Sequence, residues 1–208
     1  MAEVFEFRGV DNLVYAEVTS DSNGSPSGLM FGDVKPLSPV AEIGRTTSTS
    51  SESHYYDNKP MVVISSTGAD ELTLTVAPLD IKTQADICGY TYDETTGSMI
   101  EGERKEKYFA IGYRTKGTDG KYRYVWRYKG KFNIPDETSA TEDDGTTTNN
   151  MSLTWTGICT THTFKKTGES AKALICDERM DKLNLAVSTF LTEVITPDTV
   201  ETLKKASE

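Results

Sequence analysis

Apolar and polar side chains alternate at every second position in three stretches of the chain, residues 70–77, 108–114 and 151–159. This is the period of a β-strand with one buried and one solvated face. The alternation therefore predicts a mainly β protein, a β-sandwich or partial barrel. The residues that we assign to its core are Leu72, Leu74, Phe109, Ile111, Trp126 and Trp155.

Residues 107–132 are predicted to form a long β-hairpin, since Asp119-Gly120 suits a tight reversal between two strand-like stretches. The second stretch, KYRYVWRYKGKF at 121–132, is both basic and aromatic. At the period of a strand its aromatic residues share one face and its cations the other. The predicted core face carries Tyr122, Tyr124, Trp126, Tyr128 and Phe132, and the predicted outer face Lys121, Arg123, Val125, Arg127, Lys129 and Lys131.

Two helices are predicted beside the strands. In 78–88, Pro78 suits the first turn and Gly89 supplies a stop. In 177–194, Asp177 is a plausible N-cap and apolar residues follow at helical spacing. The expected fold thus has a flanking α-helix and a C-terminal helix, the latter within an extension at 177–208. Shorter strand candidates are 3–8, 13–18, 29–34, 60–65 and 171–176.

Two polar segments without periodicity, at about 44–59 and 135–150, are predicted to be long loops. Loops of this length in a compact domain are functional or disordered. No repeat or sharp change of composition marks a boundary, so we expect a single domain over 1–208.

The charge balance disfavours a general nucleic-acid binder. The chain has 22 basic and 32 acidic side chains, a formal net charge of -10, whereas affinity for nucleic acid rests on cations that neutralise phosphates. Cys88, Cys159 and Cys176 have no CxxC spacing and are expected to be free thiols in the core of a protein from a reducing compartment.

Residues for catalysis or metal binding are sparse. The two histidines, His54 and His162, lie in no nucleophile–base motif. The acidic residues of 136–144 lack the spacing and central glycine of an EF-hand loop. We therefore predict no enzymatic activity, no cofactor and no metal site.

Tyr55 and Tyr56 end a hydroxyl-rich stretch just before the apolar run 61–64. At an interface, tyrosines offer a large contact area and a hydrogen-bonding tip. Whether they lie at an interface or fold back onto their own sheet is left open by the sequence.

The chain resembles the major tail proteins of tailed bacteriophages, in particular the phi13-type tail tube group. Over about 3–176 the matching features are two N-terminal strands, a polar loop ending in YYDNKP, ELTLTV, PLDIKTQADICG, YFAIGYR, the basic-aromatic strand, an acidic loop and LTWTG. The resemblance implies a β-sandwich with a flanking helix, packed as hexameric rings whose inner sheets join around a lumen. Stacked rings would form the tube, with 41–60 reaching the adjacent ring.

The same resemblance implies further copies of the chain as partners, together with tape-measure, distal tail and tail terminator proteins. DNA would be passing cargo only, without membrane anchoring. The protein would belong to the virion and be synthesised and assembled in the host cytoplasm. The candidate interface residues are Arg45, Tyr55, Tyr56, Asp57, Asn58, Arg123, Arg127 and Lys129.

Two other functions remain open from the residues alone. One is a carbohydrate- or receptor-binding β-sandwich with Tyr55, Tyr56 or Tyr92 as an aromatic platform. The other is a single-stranded nucleic-acid binder that uses 121–132, where aromatics would stack on bases and cations contact phosphates.

Overall fold

The computed structural model describes residues 4–23, 28–136, 150–180 and 189–203. These residues form strands, one α-helix and one short 3₁₀ helix, Val200–Leu203. The elements are β1 (Phe7–Asp21), β2 (Leu29–Phe31), β3 (Lys35–Pro36), β4 (Val40–Tyr56), β5 (Lys59–Val76), α1 (Ile81–Cys88), β6 (Thr91–Asp93), β7 (Ser98–Ile100), β8 (Phe109–Gly117), β9 (Tyr122–Phe132), β10 (Met151–Ile158) and β11 (Ala173–Asp177).

One large antiparallel sheet dominates the fold. Its order is β2-β1-β8-β9-β10-β5-β4, with β3 added beside β1 and β11 beside β9, while β6 and β7 form a separate hairpin. Strands β1 and β4 approach each other although they lie far apart in the strand order, which shows that the sheet curls. The prediction of a mainly β fold with a flanking helix is confirmed, as are the strands at 70–77, 108–114 and 151–159 and the hairpin over 107–132.

Both faces of the central strands are buried. One hydrophobic cluster contains Phe109, Ile111 and Trp155 and includes residues of α1. The other contains Trp126, Tyr128 and Phe190, so neighbouring residues of β9 enter opposite clusters. All six residues that the sequence assigned to the core are 0–1% exposed. The two indole N–H groups donate to the carbonyl oxygens of Phe190 and Phe109, at 2.8 Å and 3.3 Å.

A β-bulge in β9 corrects the predicted face of Phe132. The pairs Ile111–Arg127 and Phe109–Gly130 show that β9 contains one residue more than β8 between these positions. An extra residue reverses which face the following side chains occupy. Phe132 therefore packs in the cluster of Trp155, opposite to Trp126 and Tyr128.

The segment 44–59, predicted to be a loop, is instead the end of β4, a two-residue turn at Asp57-Asn58 and the start of β5. Its polar composition concealed the strand because almost all of its side chains are exposed, so no buried face imposes an alternation. The second predicted loop falls largely on 137–149, outside the described residues.

The predicted helices also need correction. Helix α1 begins at Ile81, where the Asp80 side chain caps it by accepting from the Thr83 N–H at 2.9 Å, and it stops at Gly89, whose φ is 72°. Pro78 precedes this cap. Asp177 is no N-cap: it is the last residue of β11, and 178–180 are turn or bend. Residues 189–194 are not α-helical, and 181–188 lie outside the described residues.

Candidate subunit interface

The β4–β5 hairpin extends beyond the body of the sheet. Strand β10 pairs with β5 only from Asp70 to Val76, whereas the pairing of β4 with β5 continues to Tyr56–Lys59. From 48 to 68 every side chain is exposed except that of His54, which is half-buried. We call residues 48–68 the projecting hairpin.

The tip of the projecting hairpin is a tight two-residue turn. Asp57 and Asn58 adopt φ angles of 49° and 61°, the left-handed region that asparagine and aspartate tolerate best after glycine. Two such residues in succession match a type I′ turn, whose twist suits that of a hairpin. Next to the turn, Tyr55 and Tyr56 are 67% and 57% exposed, so neither folds back onto its own sheet.

One arm of the projecting hairpin is apolar and the other polar. Met61, Val62, Val63 and Ile64 are 46–62% exposed. They face β4 across the pairs Ile64–Glu52, Val63–Ser53 and Val62–His54. Because successive strand residues point to opposite faces, this apolar arm is open to solvent on both faces.

A buried ion cluster lies at the base of the projecting hairpin. The Asp70 carboxylate accepts from Arg127 Nη1 at 2.8 Å, Thr47 Oγ1 at 2.9 Å and Lys172 Nζ at 3.3 Å. The side chains of Arg127 and Asp70 are 4% and 6% exposed. Lys172 also donates to the Gly68 carbonyl oxygen, so this cluster connects the hairpin to β9 and to the residue preceding β11.

Burial by itself raises the pKa of Asp70. The hydrogen bonds from Thr47 and Lys172 and the charges of Lys172 and Arg127 outweigh it, so the pKa lies below its usual value. The carboxylate is therefore ionised at neutral pH and neutralises the buried guanidinium.

The other predicted interface cations of β9 also have partners within the chain. Arg123 Nε donates to Asp177 at 2.8 Å, and Lys129 Nζ contacts Asp21. Asp21 additionally accepts from the backbone N–H groups of Thr161 and His162. The prediction that Arg127 and Lys129 form an outward basic face is wrong, because β9 is a central strand with both faces covered and distant carboxylates neutralise its cations.

Arg45 remains a prediction. Its side chain is exposed on β4, opposite Leu72.

The two alternative functions find little support. Tyr55 and Tyr56 are neighbours in a strand, so their rings point to opposite faces and cannot form one stacking platform. Tyr92 is half-buried, with Lys82 Nζ 5.6 Å from its ring centroid. Four of the five aromatic side chains of β9 lie in the core, where they cannot stack on bases, and the fifth, Tyr122, is half-buried against it.

The cysteines are free thiols, as predicted, but Cys159 is exposed rather than a core residue. Burial raises the pKa of Cys176 to about 11. Among the described residues no group of three His, Cys, Asp or Glu side chains could hold a metal ion. Within the same residues no helix is long and apolar enough to cross a membrane.

Asp70 and Asp21 are the polar residues that sequence reasoning missed. Asp70 opens the alternating stretch DELTLTVA and Asp21 ends β1. Their cationic partners lie more than fifty positions away along the chain, and no local pattern indicates such a pairing.

The described fold is that of a mainly β protein built on a large antiparallel sheet with one flanking helix. The sequence matches the family described as phage tail tube protein over residues 46–190, which is more than half of the chain. The chain therefore belongs to the phage tail tube protein family, whose members are structural components of the virion. The match covers the whole projecting hairpin, α1 and the strands from β5 to β11, while β1, β2 and β3 precede it. A search of curated proteins found no match.

Proposed function

We propose that this protein is the major tail tube subunit, which assembles into hexameric rings that stack into a hollow tube for the passage of DNA. Family membership supports a structural tube subunit and, in general terms, self-assembly and tail partners. Beyond what family membership supports, we propose the arrangement into hexamers and the stacking of rings.

The observation that carries the proposal is the projecting hairpin with its exposed apolar arm. Contiguous exposed apolar surface on a soluble protein marks sites of interaction. Here Met61–Ile64 and the two tyrosines are concentrated on one element that makes few contacts with the rest of its own chain. We infer that this element contacts a neighbouring ring, with Tyr55, Tyr56, Asp57 and Asn58 at the contact.

The net charge of -10 agrees with this function. A tube that lets DNA slide must not retain phosphates, and affinity for DNA comes from cations. Several cations of the described residues are already paired with carboxylates in the same chain, including Arg123, Arg127 and Lys129. DNA is then cargo, while the specific partners are other copies, the tape-measure protein, the distal tail protein and the tail terminator.

The first test replaces both tip tyrosines in the double variant Tyr55→Ala/Tyr56→Ala. The variant should remain soluble and folded, because neither ring packs in the core, while electron microscopy should show rings that fail to stack or tubes much shorter than those of the wild type. Tyr92→Ala is the matched control, since it removes a tyrosine outside the projecting hairpin, and should leave tube length unchanged. Tubes of normal length from the double variant would show that these residues do not lie at the interface.

A further inference from the structure

Strand β9 changes its neighbour near the middle of its length. Residues 123–127 pair with β11, whereas residues 129–132 pair with β10. On the opposite edge of β9, the β-bulge lies between Arg127 and Gly130. Curved sheets and barrels turn their corners at bulges and at glycines, where a strand passes from one set of neighbours to another. The stretch 127–130 is therefore a corner of the sheet.

The side chain of Trp155 lies across this corner. Trp155 belongs to β10, and its indole N–H donates to the carbonyl oxygen of Phe109 in β8 at 3.3 Å. Between these two strands lies β9, where the indole ring covers Gly130. One side chain, only 1% exposed, thus contacts three successive strands and holds them in a fixed relation to each other.

Two glycines make room for the indole. A Cβ atom added to Gly157 would lie 2.2 Å from Cζ3 of Trp155, and one added to Gly130 would lie 2.4 Å from Cε2 and Cζ2. Both separations are far below the carbon–carbon contact distance of about 3.5–4.0 Å. Gly157 and Gly130 also pair with each other across β10 and β9. We call these two residues the glycine pair, and the indole keeps its position only while neither carries a side chain.

The second tryptophan is placed in the same way beside another irregularity of the sheet. Trp126 pairs with Gly112, and a Cβ atom added to Gly112 would lie 2.9 Å from the indole ring. Gly112 in turn pairs with Val14, next to the register shift of β1 between Asp11 and Val14. The two indoles lie in opposite hydrophobic clusters. A tryptophan that covers a glycine therefore accompanies a bulge on each face of the sheet.

We propose that Trp155, held over the glycine pair, fixes the curl of the sheet and thereby determines how many copies close a ring. This inference rests on the proposed function, because only a ring-forming subunit converts its own shape into a ring size. In a cyclic assembly each copy contacts its neighbours through two different surfaces, and the rotation between copies decides whether and when the ring closes. The corner sets the angle between the two ends of the sheet, at β1 and at β4. Since its side chain is buried, Trp155 is a positioning residue that acts through the shape of the sheet.

A double-mutant cycle tests the contact between Trp155 and the glycine pair. Gly157→Ala displaces the indole and should lower the melting temperature by about 5 °C. In a Trp155→Phe background the same substitution should have little further effect, because phenylalanine lacks the Cζ3 and Cη2 atoms that the added methyl group meets. Gly44→Ala is the matched control and should not lower the melting temperature, since a Cβ atom at this β4 glycine lies 3.9 Å from its nearest neighbours. Additive effects of Gly157→Ala and Trp155→Phe would contradict the contact.

The diameter of the assembled rings tests the role of Trp155 in assembly. In electron micrographs, end views of Gly157→Ala should show rings of more than one diameter, whereas the wild type and Gly44→Ala should show a single diameter. Ile195→Val removes buried volume in the opposite cluster and lowers stability without contact to the corner. It should keep the wild-type diameter, which separates an effect of shape from an effect of stability.

Two outcomes for the Gly157→Ala variant need a stated interpretation. If it folds and forms rings of the wild-type diameter only, the proposal is overturned. If it does not fold, Trp155→Phe takes its place, because the smaller ring leaves part of the space over the glycine pair empty and should likewise broaden the range of diameters. A single wild-type diameter from folded Trp155→Phe would then overturn the proposal.

Failure of this inference differs from failure of the proposed function. If the wild-type protein forms rings and the variants form rings of the same diameter, ring size does not depend on Trp155 and the proposed function stands. If the wild-type protein forms no ring or tube under any condition, the proposed function itself fails.

Discussion

Asp70 is the residue on which the attachment of the projecting hairpin depends. Its carboxylate neutralises the buried Arg127 and also accepts from Thr47 on the neighbouring strand of the hairpin. Among the residues that the structure describes, Arg127 Nε is buried without a hydrogen-bond partner, so the guanidinium has little other compensation there. Removing one partner of a buried ion pair is costly because it leaves the other charge uncompensated.

Asp70→Ala should therefore lower the free energy of unfolding by about 3–5 kcal/mol, measured by urea denaturation at neutral pH. Glu71→Ala is the matched control: Glu71 is the next residue, its side chain is exposed, and its removal should change stability by less than about 0.5 kcal/mol. Equal stabilities of the two variants would contradict the role of Asp70.

The stability difference between the wild type and Asp70→Ala should depend on pH. The pKa of Asp70 is lowered in the folded state, so its stabilising contribution is present above the unfolded pKa and is lost as the pH falls through the folded pKa. The stability difference between the wild type and Asp70→Ala should therefore be full at neutral pH and shrink on acidification below about pH 4. A difference that stays constant into the acid range would show that the lost contribution is not the carboxylate charge.

At the scale of elements, the sequence predicted those strands that have one buried face. Leu72, Leu74 and Val76 alternate with polar residues because only one side of that part of β5 is covered. The projecting part of β4 offers no such pattern, since both of its faces are solvated and its side chains are mostly serine and threonine. Strand structure there comes from pairing with β5, a long-range property that a local window does not contain.

For the basic-aromatic strand β9, prediction from the sequence failed for a different reason. Alternation correctly separated Trp126 from Arg127 but implied that the cations face outward. Strand β9 is buried on both sides, and Asp70 and Asp21 neutralise its cations from β5 and β1. The exposed tyrosines and the apolar run of the candidate interface were recognisable from composition, whereas the ion cluster that fixes the hairpin was not.

The turn at the tip of the projecting hairpin provides a testable prediction. Asn58→Val should disrupt the turn at a cost of about 1–2 kcal/mol, because a β-branched residue does not tolerate the φ of 61° found there. Hydrogen exchange should accelerate at amides of 49–56 and tube assembly should decline. Asn58→Gly is the control and should preserve both, since glycine adopts positive φ without strain. Identical behaviour of the two variants would show that the turn conformation does not govern assembly.

At the scale of the whole molecule, a curled antiparallel sheet with two covered faces leaves the apolar arm of the projecting hairpin in solvent. Such a molecule is stable as a subunit yet has surface that only a partner covers. A segment that becomes ordered only on assembly costs about 1–2 kcal/mol for each residue whose backbone is fixed. We therefore expect assembly to proceed faster on an existing ring or tube than from free subunits.

Negative-stain electron microscopy of the purified protein across a concentration series, with and without preformed tubes as seeds, tests the central claim most directly. The structure and the family together predict rings or hollow tubes whose end views show sixfold symmetry, and seeds should lower the concentration at which they form. Single monomeric particles at every concentration, even in the presence of seeds, would contradict the assignment of this chain as a self-assembling tail tube subunit.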